Sequence, residues 1–414
     1  MVMRWQAGRQ RLLELVLMLA PQLYGKLSAL RGSIGSPALP PPGRPRVLLV
    51  DHDFPEPDRD AGSRAIACFA GLLRDAGMEV VFWAASTQAS MAGRQLLQQQ
   101  GVVALSRQDT GSLQRWLQQE GLHFCASVLS RPLIAAMYLP VVRGKVPGPV
   151  IYYGHDIHHQ RLLAMGAMSA MDLATRWELY LMRVIERRHW RLADVVLYPS
   201  SEEAAWVNRH LAVSGRAENA QMFPLWTVDA SATPRSSDPS GRSGLLFVGS
   251  ASHRPNIDGL DWFLHEVFPL LKQEGNVPIL TIVGSGMERY QIPVDAADRV
   301  RVLGRVDDAD LVRCYAQARV VVAPLRFGGG VKGKVLEAID MGVPCVLTAV
   351  AAQGLDGIEL ALPVVDDPID YARSLEHLLA DDQTWSKASV DALEFLALRY
   401  DHDMHVRRLR EFIL

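Results

Sequence analysis

Short apolar runs alternate with amphipathic stretches along most of this chain. Between Arg46 and Trp226 the runs are Val47–Asp51, Glu79–Ala84, Ala126–Leu129, Val150–Tyr153 and Val195–Pro199, rich in Val, Leu and aromatic residues. Ser63–Ala76 and Ala174–Leu192, which lie among them, carry helical periodicity. Strand and helix in alternation predict a parallel sheet covered on both faces. Residues 227–243 (TVDASATPRSSDPSGRS) lose the pattern and read as a boundary. A second series follows: LLFVG at 245–249, ILTIVG at 279–284, VRVLG at 300–304, RVVVAPL at 319–325 and PCVLT at 344–348.

The expected fold class is therefore α/β, with two tandem doubly wound Rossmann-like domains. The expected divisions are 1–45, 46–230, 231–395 and 396–414, with Val390–Leu414 helical and closing the molecule. Two such lobes imply a central cleft, and open α/β sheets bind ligands beyond the carboxyl ends of their strands.

Residues 1–35 read as a separate piece. Leu12, Leu15, Val16, Leu19 and Leu23 recur at helical spacing, and Arg4, Arg9, Arg11, Lys26 and Arg31 outnumber Glu14. A basic amphipathic helix of this kind either lies on an anionic membrane surface or packs on its own body or a partner, and both readings stand. Ser36–Pro45 (SPALPPPGRP) reads as an extended linker. Leu12–Ala20 is too short, and too interrupted by Glu14, to span a bilayer, and no small-residue cleavage site follows it. The expectation is a cytoplasmic protein with peripheral contact at the inner membrane face through residues 1–35.

Composition narrows the classes. Of 414 residues, 49% are hydrophobic and 21% charged, which suits a folded chain. A net charge of −2 gives no global attraction to nucleic acid, so none is expected as a partner. Cys68, Cys125, Cys314 and Cys345 are widely spaced, which argues against a zinc module or a disulfide framework.

The richest chemistry lies in Arg319–Thr348, RVVVAPLRFGGGVKGKVLEAIDMGVPCVLT. A buried strand ends at Pro324, Gly328–Gly330 follow, and a helix is expected to begin near Val331. Glycines permit close backbone approach, and the first amides of a helix have no internal partner. With the helix dipole they attract anions. Lys332 and Lys334 in a first turn oppose that dipole unless an anion compensates, which points to a diphosphate. Glu337 shares a face with Gly330, Gly333 and Lys334, and a carboxylate there can accept ribose hydroxyls. The plainer alternative is a solvated turn with a Lys334–Glu337 surface pair.

This segment, G-G-G-V-K-G-K-V-L-E-A followed by M-G-V-P-C-V-L-T, resembles the donor-binding region of glycosyltransferase family 4, a GT-B group. LLFVGSASHRPNIDGLDWFLHEVFPLL (245–271), IVGSGM (282–287) and VLGRVDD (302–308) are similar to the family's second-lobe junctions. DHDFPEPDRDAGSRA (51–65) and YYGHDIHH (152–159) look like its first-lobe loops. The resemblance implies metal-independent glycosyl transfer, without a cofactor, from a nucleoside diphosphate sugar to a sugar or lipid-linked acceptor of polysaccharide or glycolipid assembly, with retention. It implies that Glu337 holds the ribose, that Gly333, Lys334 and Lys332 meet the diphosphate, and that Gly330 and Val331 face the sugar. Gly249 and Arg254 join the donor site, Gly62 and Ser63 close over the phosphates, and His155 contacts the transferred sugar. Two positions depart from the family: Gly329 stands where a second glutamate is usual, and Ser250–Arg254 where an Arg and a Lys are frequent. The alternatives are a GT-B-like protein that binds nucleotide or partner without catalysis, and a nucleotide-sugar epimerase.

Other polar clusters have simpler readings. His155, Asp156, His158 and His159 lack a further ligand to complete a metal site. Asp51-His52-Asp53 and Asp58-Arg59-Asp60 resemble acid pairs that bind metal, but no metal is expected. Ser200 and Glu203 form a capping box. Trp177, Trp190, Trp206 and Trp262 fall in helical runs and are expected in the core.

Overall fold

The structure, a computed structural model, describes residues 37–57, 61–168, 171–225, 227–228, 236–273 and 277–414. The expected N-terminal helix and the Asp58-Arg59-Asp60 triplet lie outside the described residues. The chain forms two compact units, one running to Thr227 and taking back His402–Leu414, the other Val228–Asp401.

The first unit is built on a seven-stranded parallel sheet of order β3-β2-β1-β4-β5-β6-β7. Its strands are β1 (Arg46–Asp51), β2 (Glu79–Ala84), β3 (Val103–Ser106), β4 (Ala126–Ser130), β5 (Val150–Tyr153), β6 (Val195–Tyr198) and β7 (Ala220–Met222). Its main helices are α1 (Ala61–Asp75), α2 (Met91–Gln99), α3 (Leu113–Glu120), α4 (Pro132–Arg143), α5 (His158–Met168), α6 (Leu173–Leu192) and α7 (Ser201–Val213). Strands β1 and β4 are buried along their whole length, because helices cover both faces of a parallel sheet. The apolar runs predicted five of the seven strands. The two missed, β3 and β7, are the short edge strands, where alternation is too brief to register.

The second unit has a five-stranded parallel sheet, β10-β9-β8-β11-β12. The strands are β8 (Ser243–Val248), β9 (Leu280–Val283), β10 (Val300–Gly304), β11 (Ala318–Ala323) and β12 (Cys345–Leu347). The helices used below are α8 (Arg254–Trp262), α9 (Asp308–Gln317), α10 (Gly333–Asp340), α11 (Pro368–Ala380) and α12 (Asp382–Tyr400). All five apolar runs of this half are strands.

Residues 396–414, expected as one closing helix, divide. Residues 396–400 finish α12, the backbone turns at Asp401 (φ −56°, ψ 128°), and α13 (His402–Ile413) joins the first unit. There α13 packs against α1. His402 pairs with Asp75 at 3.2 Å, and Arg408 donates to the Met222 carbonyl at 2.8 Å.

Candidate functional sites in the two units

In the second unit the strand order reverses at β8, which is flanked by β9 and β11. The carboxyl ends of strands at such a switch point are where open α/β sheets take ligands. Gly249 and Ser250 leave β8 there, and the glycine loop leaves β11. Across this point Lys334, on the first turn of α10, puts Nζ 2.6 Å from Asn256 Oδ1 and 4.9 Å above the ring centre of Phe247. Asn256 is buried and donates from Nδ2 to the Ser250 carbonyl at 2.9 Å. A β-carbon on Gly249 would lie 2.7 Å from Asn256 Cγ, so glycine at 249 is what makes room for this amide.

Burial first, and then the neighbouring Lys332 charge, lower the Lys334 pKa to about 7. Lys334 makes no ion pair with a carboxylate among the described residues. A cation held this way, beside a second lysine, gains from an arriving anion.

The helix begins at Gly333, two residues later than the expected start near Val331. Lys332 occupies the cap position, and no side-chain capping bond is made there. Val335 N–H bonds back to the Lys332 carbonyl at 2.9 Å, and the amides of Gly333 and Lys334 keep the orphan donors and positive dipole end of a helix start. Lys332 itself is buried and donates from Nζ back to the carbonyls of Gly329 and Gly330. It therefore folds the loop onto itself rather than projecting from it. Gly328 (φ 128°) and Gly330 (φ 72°) hold the positive φ values this turn requires. Val331 is buried at the loop's end.

One turn along α10, Glu337 Oε2 accepts a hydrogen bond from the Tyr315 hydroxyl at 3.2 Å. Lys334 reaches Asn256 instead of Glu337, so the simple surface pair does not form. Arg254 is the first residue of α8 and is exposed. Nearby Arg326 is committed to Asp258 by a two-pronged contact at 2.9 and 2.6 Å.

The first unit has its own switch point at β1, which lies between β2 and β4. Asp51 ends β1, Ser130 and Arg131 leave β4, and His155 follows β5. Arg131 Nε donates to both oxygens of Asp51, at 3.1 and 3.3 Å. Ser130 Oγ donates to Asp51 Oδ2 at 3.3 Å and lies 2.9 Å from His155 Nε2. With the serine hydroxyl donating to Asp51, the ring donates from Nε2 to Oγ and Nδ1 is left as an acceptor. That buried Nδ1 has no protein partner, and neither does Arg131 Nη2.

Burial works to raise the Asp51 pKa, but Arg131 and His52 together outweigh it and hold the group at about 2. Burial and then Arg131 depress His155 to about 3, against the opposing pull of Asp51. His155 is thus a neutral imidazole at physiological pH. Among the described non-glycine residues Arg131 alone has a positive φ, 71°. Such a backbone costs about 1–3 kcal/mol and persists where the surroundings enforce it. Here the Asp51 contacts and an Arg131 N–H bond to the Tyr153 carbonyl at 3.1 Å do so.

Two carboxylates from other helices hold the loop after His155. Buried Glu186 of α6 accepts the His158 amide at 2.8 Å, the His159 amide at 3.1 Å and His159 Nδ1 at 2.7 Å. Glu203 of α7 accepts the Ile157 amide at 3.0 Å, while Ser200 caps the same helix. Only half of the expected capping box forms: Ser200 Oγ accepts the Glu203 amide at 3.1 Å, and the Glu203 carboxylate takes the Ser200 hydroxyl at 2.9 Å instead of the Ser200 amide. His158 lies 2.6 Å from Asp156, so these histidines are occupied by carboxylates. Among the described residues no group of three or more His, Cys, Asp or Glu is arranged to hold a metal.

The structure thus gathers Gly249, Gly330, Val331, Lys332, Gly333, Lys334 and Glu337 around the ends of β8 and β11. His155 stands at the end of β5, with Gly62 and buried Ser63 on the first turn of α1. Sequence reasoning missed Asn256, Tyr315, Ser130, Arg131 and Glu186. Only Glu186 left a readable signal, a lone acid on the apolar face of α6 between Met182 and Trp190. A further expectation is overturned: Trp177 is not in the core but 45% exposed. Trp190 is buried, and Trp206 and Trp262 are half-buried.

Residues 242–381, within the second unit, match the family described as "Glycosyl transferases group 1". A curated relative, an uncharacterized 44.6 kDa protein in the cps region of Klebsiella pneumoniae, is 24% identical over 166 residues. That match covers 38% of this chain and 42% of the relative. Among solved structures, sucrose-phosphate synthase from Thermosynechococcus elongatus superposes with a TM-score of 0.63 at 16% identity, covering 89% of this chain and 98% of that one. S. aureus TarM, solved with Fondaparinux, alpha-GlcNAc-glycerol and UDP, gives 0.65 at 10% identity, covering 89% and 99%. Anabaena HepE in complex with UDP-glucose gives 0.61 at 16%, covering 88% and 98%. The shared fold is GT-B, with two Rossmann-like α/β domains.

Proposed function

We propose that this protein transfers a glycosyl group from a nucleoside diphosphate sugar to an acceptor hydroxyl, with the second unit binding the donor. The observation that carries the reading is Lys334, a lysine without a carboxylate partner at an uncapped helix start, on a β8/β11 switch point. The match of residues 242–381 to group 1 glycosyl transferases supports it. HepE and TarM were solved with UDP-glucose and UDP, which makes uridine donors the first to test. The relative from a cps region makes a polysaccharide acceptor the first to test.

In this reading the bond from the anomeric carbon to the diphosphate breaks as the acceptor oxygen bonds to that carbon. The acceptor proton passes to the departing phosphate oxygen. Negative charge grows on the diphosphate, where Lys334 and the amides of Gly333 and Lys334 stabilise it more in the transition state than in the ground state. Lys332 shapes the glycine loop, Gly330 and Val331 bound the sugar, and Glu337, oriented by Tyr315, takes the ribose hydroxyls. His155 offers its neutral Nδ1 to a sugar hydroxyl. The family resemblance assigns Gly62 and Ser63 to the phosphates as well, and Gly249 and Arg254 complete the second unit's share of the donor site. Retention follows from the family resemblance, through a short-lived ion pair.

Thermal-shift and transfer assays of the purified chain with a panel of nucleotide sugars test this reading. A melting point indifferent to every nucleoside diphosphate sugar would overturn it. Binding without transfer or hydrolysis would leave a nucleotide-binding protein, the reading that Gly329 in place of the second glutamate favours.

A further inference from the structure

Helix α6 buries one side of itself, Leu181, Met182, Ile185, Glu186, His189 and Trp190, in the first unit. Its other side is unlike an ordinary solvent face. Leu173 is 82% exposed, Trp177 45%, Tyr180 57% and Val184 39%. At 100° per residue these four fall on one stripe. The Trp177 and Tyr180 rings stack on each other in the open, 5.5 Å apart at 25°.

Arginines border this stripe and continue it. Arg176, Arg183, Arg188 and Arg191 are exposed and Arg187 is half-buried. None of the five forms an ion pair among the described residues. Burial and then the charges of Arg183 and Arg191 lower the Arg187 pKa, the mark of like charges crowded together. The acids near the helix start do not relieve them: the Asp172 carboxylate is spent capping the Thr175 amide, and Glu178 is unpaired.

We propose that this face of α6 is a docking surface for an anionic lipid bilayer. Amphipathic aromatic rings flanked by unpaired arginines match a membrane interface, where rings sit at headgroup depth and cations meet anionic lipid. A second copy of the same face would bring like charges together. Residues 1–35 are themselves basic and do not complement it either. No helix among the described residues is long and apolar enough to cross a membrane, so the contact is one of lying on the surface. The inference stands whether or not the chain transfers sugar.

The test is sedimentation of the full chain with vesicles of phosphatidylglycerol and phosphatidylcholine, against phosphatidylcholine alone. Binding to the anionic vesicles only is expected, weakening as salt rises. Replacing Arg183, Arg187 and Arg191 with Gln should lower partitioning about a hundredfold, at about fivefold per arginine. Acyl-chain-brominated lipid should quench part of the tryptophan fluorescence, and that part should vanish in Trp177→Phe. Because only α6 is altered, binding through any other segment would survive and expose an error. Partitioning unchanged by the triple substitution, quenching indifferent to Trp177, or equal binding to neutral vesicles each overturns the proposal. So does binding of soluble polyglutamate without vesicle binding, which would mark an acidic protein partner. Unaltered melting temperatures check that the variants fold.

Discussion

Lys334 Nζ lies 2.6 Å from Asn256 Oδ1, so the first turn of α10 is tied to a buried amide in the first turn of α8 across the switch point of the second sheet. The bond is between a cation and a neutral amide, which fixes where the charge sits without cancelling it. An ion pair with a carboxylate would have satisfied the lysine and closed the site to phosphate. The amide positions the charge and leaves it available.

Replacing Lys334 with Met should separate stability from binding. The free protein loses a poorly solvated cation, so its melting temperature should hold or rise by about 2–4 °C, the equivalent of about 1 kcal/mol in a domain this size. The shift produced by UDP-glucose should disappear. A variant that melts earlier yet still binds donor would sink the assigned role.

Donor affinity should depend on pH through the same lysine. Its pKa of about 7 in the free protein should rise when a diphosphate arrives, so binding takes up a proton above pH 7. Affinity for UDP-glucose, whose diphosphate diester does not itself titrate there, should fall by up to about tenfold per pH unit above 7. Calorimetry in buffers of different ionisation enthalpy measures the uptake. No uptake at pH 8 would remove Lys334 from contact with the phosphates.

Glu337→Gln should weaken donor binding by about 1.5–3 kcal/mol if the carboxylate holds ribose hydroxyls. Tyr315→Phe, which removes the hydroxyl that donates to that carboxylate, should cost about 1 kcal/mol. Binding constants for both variants decide it, and a tyrosine effect larger than the glutamate effect would contradict the assignment.

Asp51 is held at about 2 in the fold against 3.8 unperturbed. The folded pKa is depressed, so its contribution is present above pH 3.8 and is lost as pH falls toward 2. That amounts to roughly 2 kcal/mol for this buried group. Arg131→Gln leaves the carboxylate buried without its cation and should destabilise the first unit by about 3–5 kcal/mol at pH 7. Denaturant titrations of both forms at pH 7 and pH 3 check the two claims. Equal losses at the two pH values would show that the ion pair is not the cause.

Much of this was written in the pattern of side chains. Five of seven strands in the first unit and all five in the second stand out as apolar runs, because a sheet covered on both faces needs continuous apolar strands. The glycine triplet, Lys334 and Glu337 also stood out, since a basic first turn after glycines contradicts local helix electrostatics and so asks for a ligand. The same local reasoning placed the helix start two residues early, because Lys332 turns back onto the Gly329 and Gly330 carbonyls. It also assigned Trp177 to the core, because helical periodicity tells which residues share a face and not which face is covered.

The sequence by itself determined the alternation of elements, the two-part division and the glycine-then-lysine lead into α10, all of which depend on residues near one another in the chain. Only the tertiary structure decided that Asn256 would meet Lys334, 78 positions away, or that Ser130 would sit between Asp51 and His155. Those contacts arise where strand order reverses and brings loops from distant segments to one edge. Local propensity carries no information about which strands become neighbours.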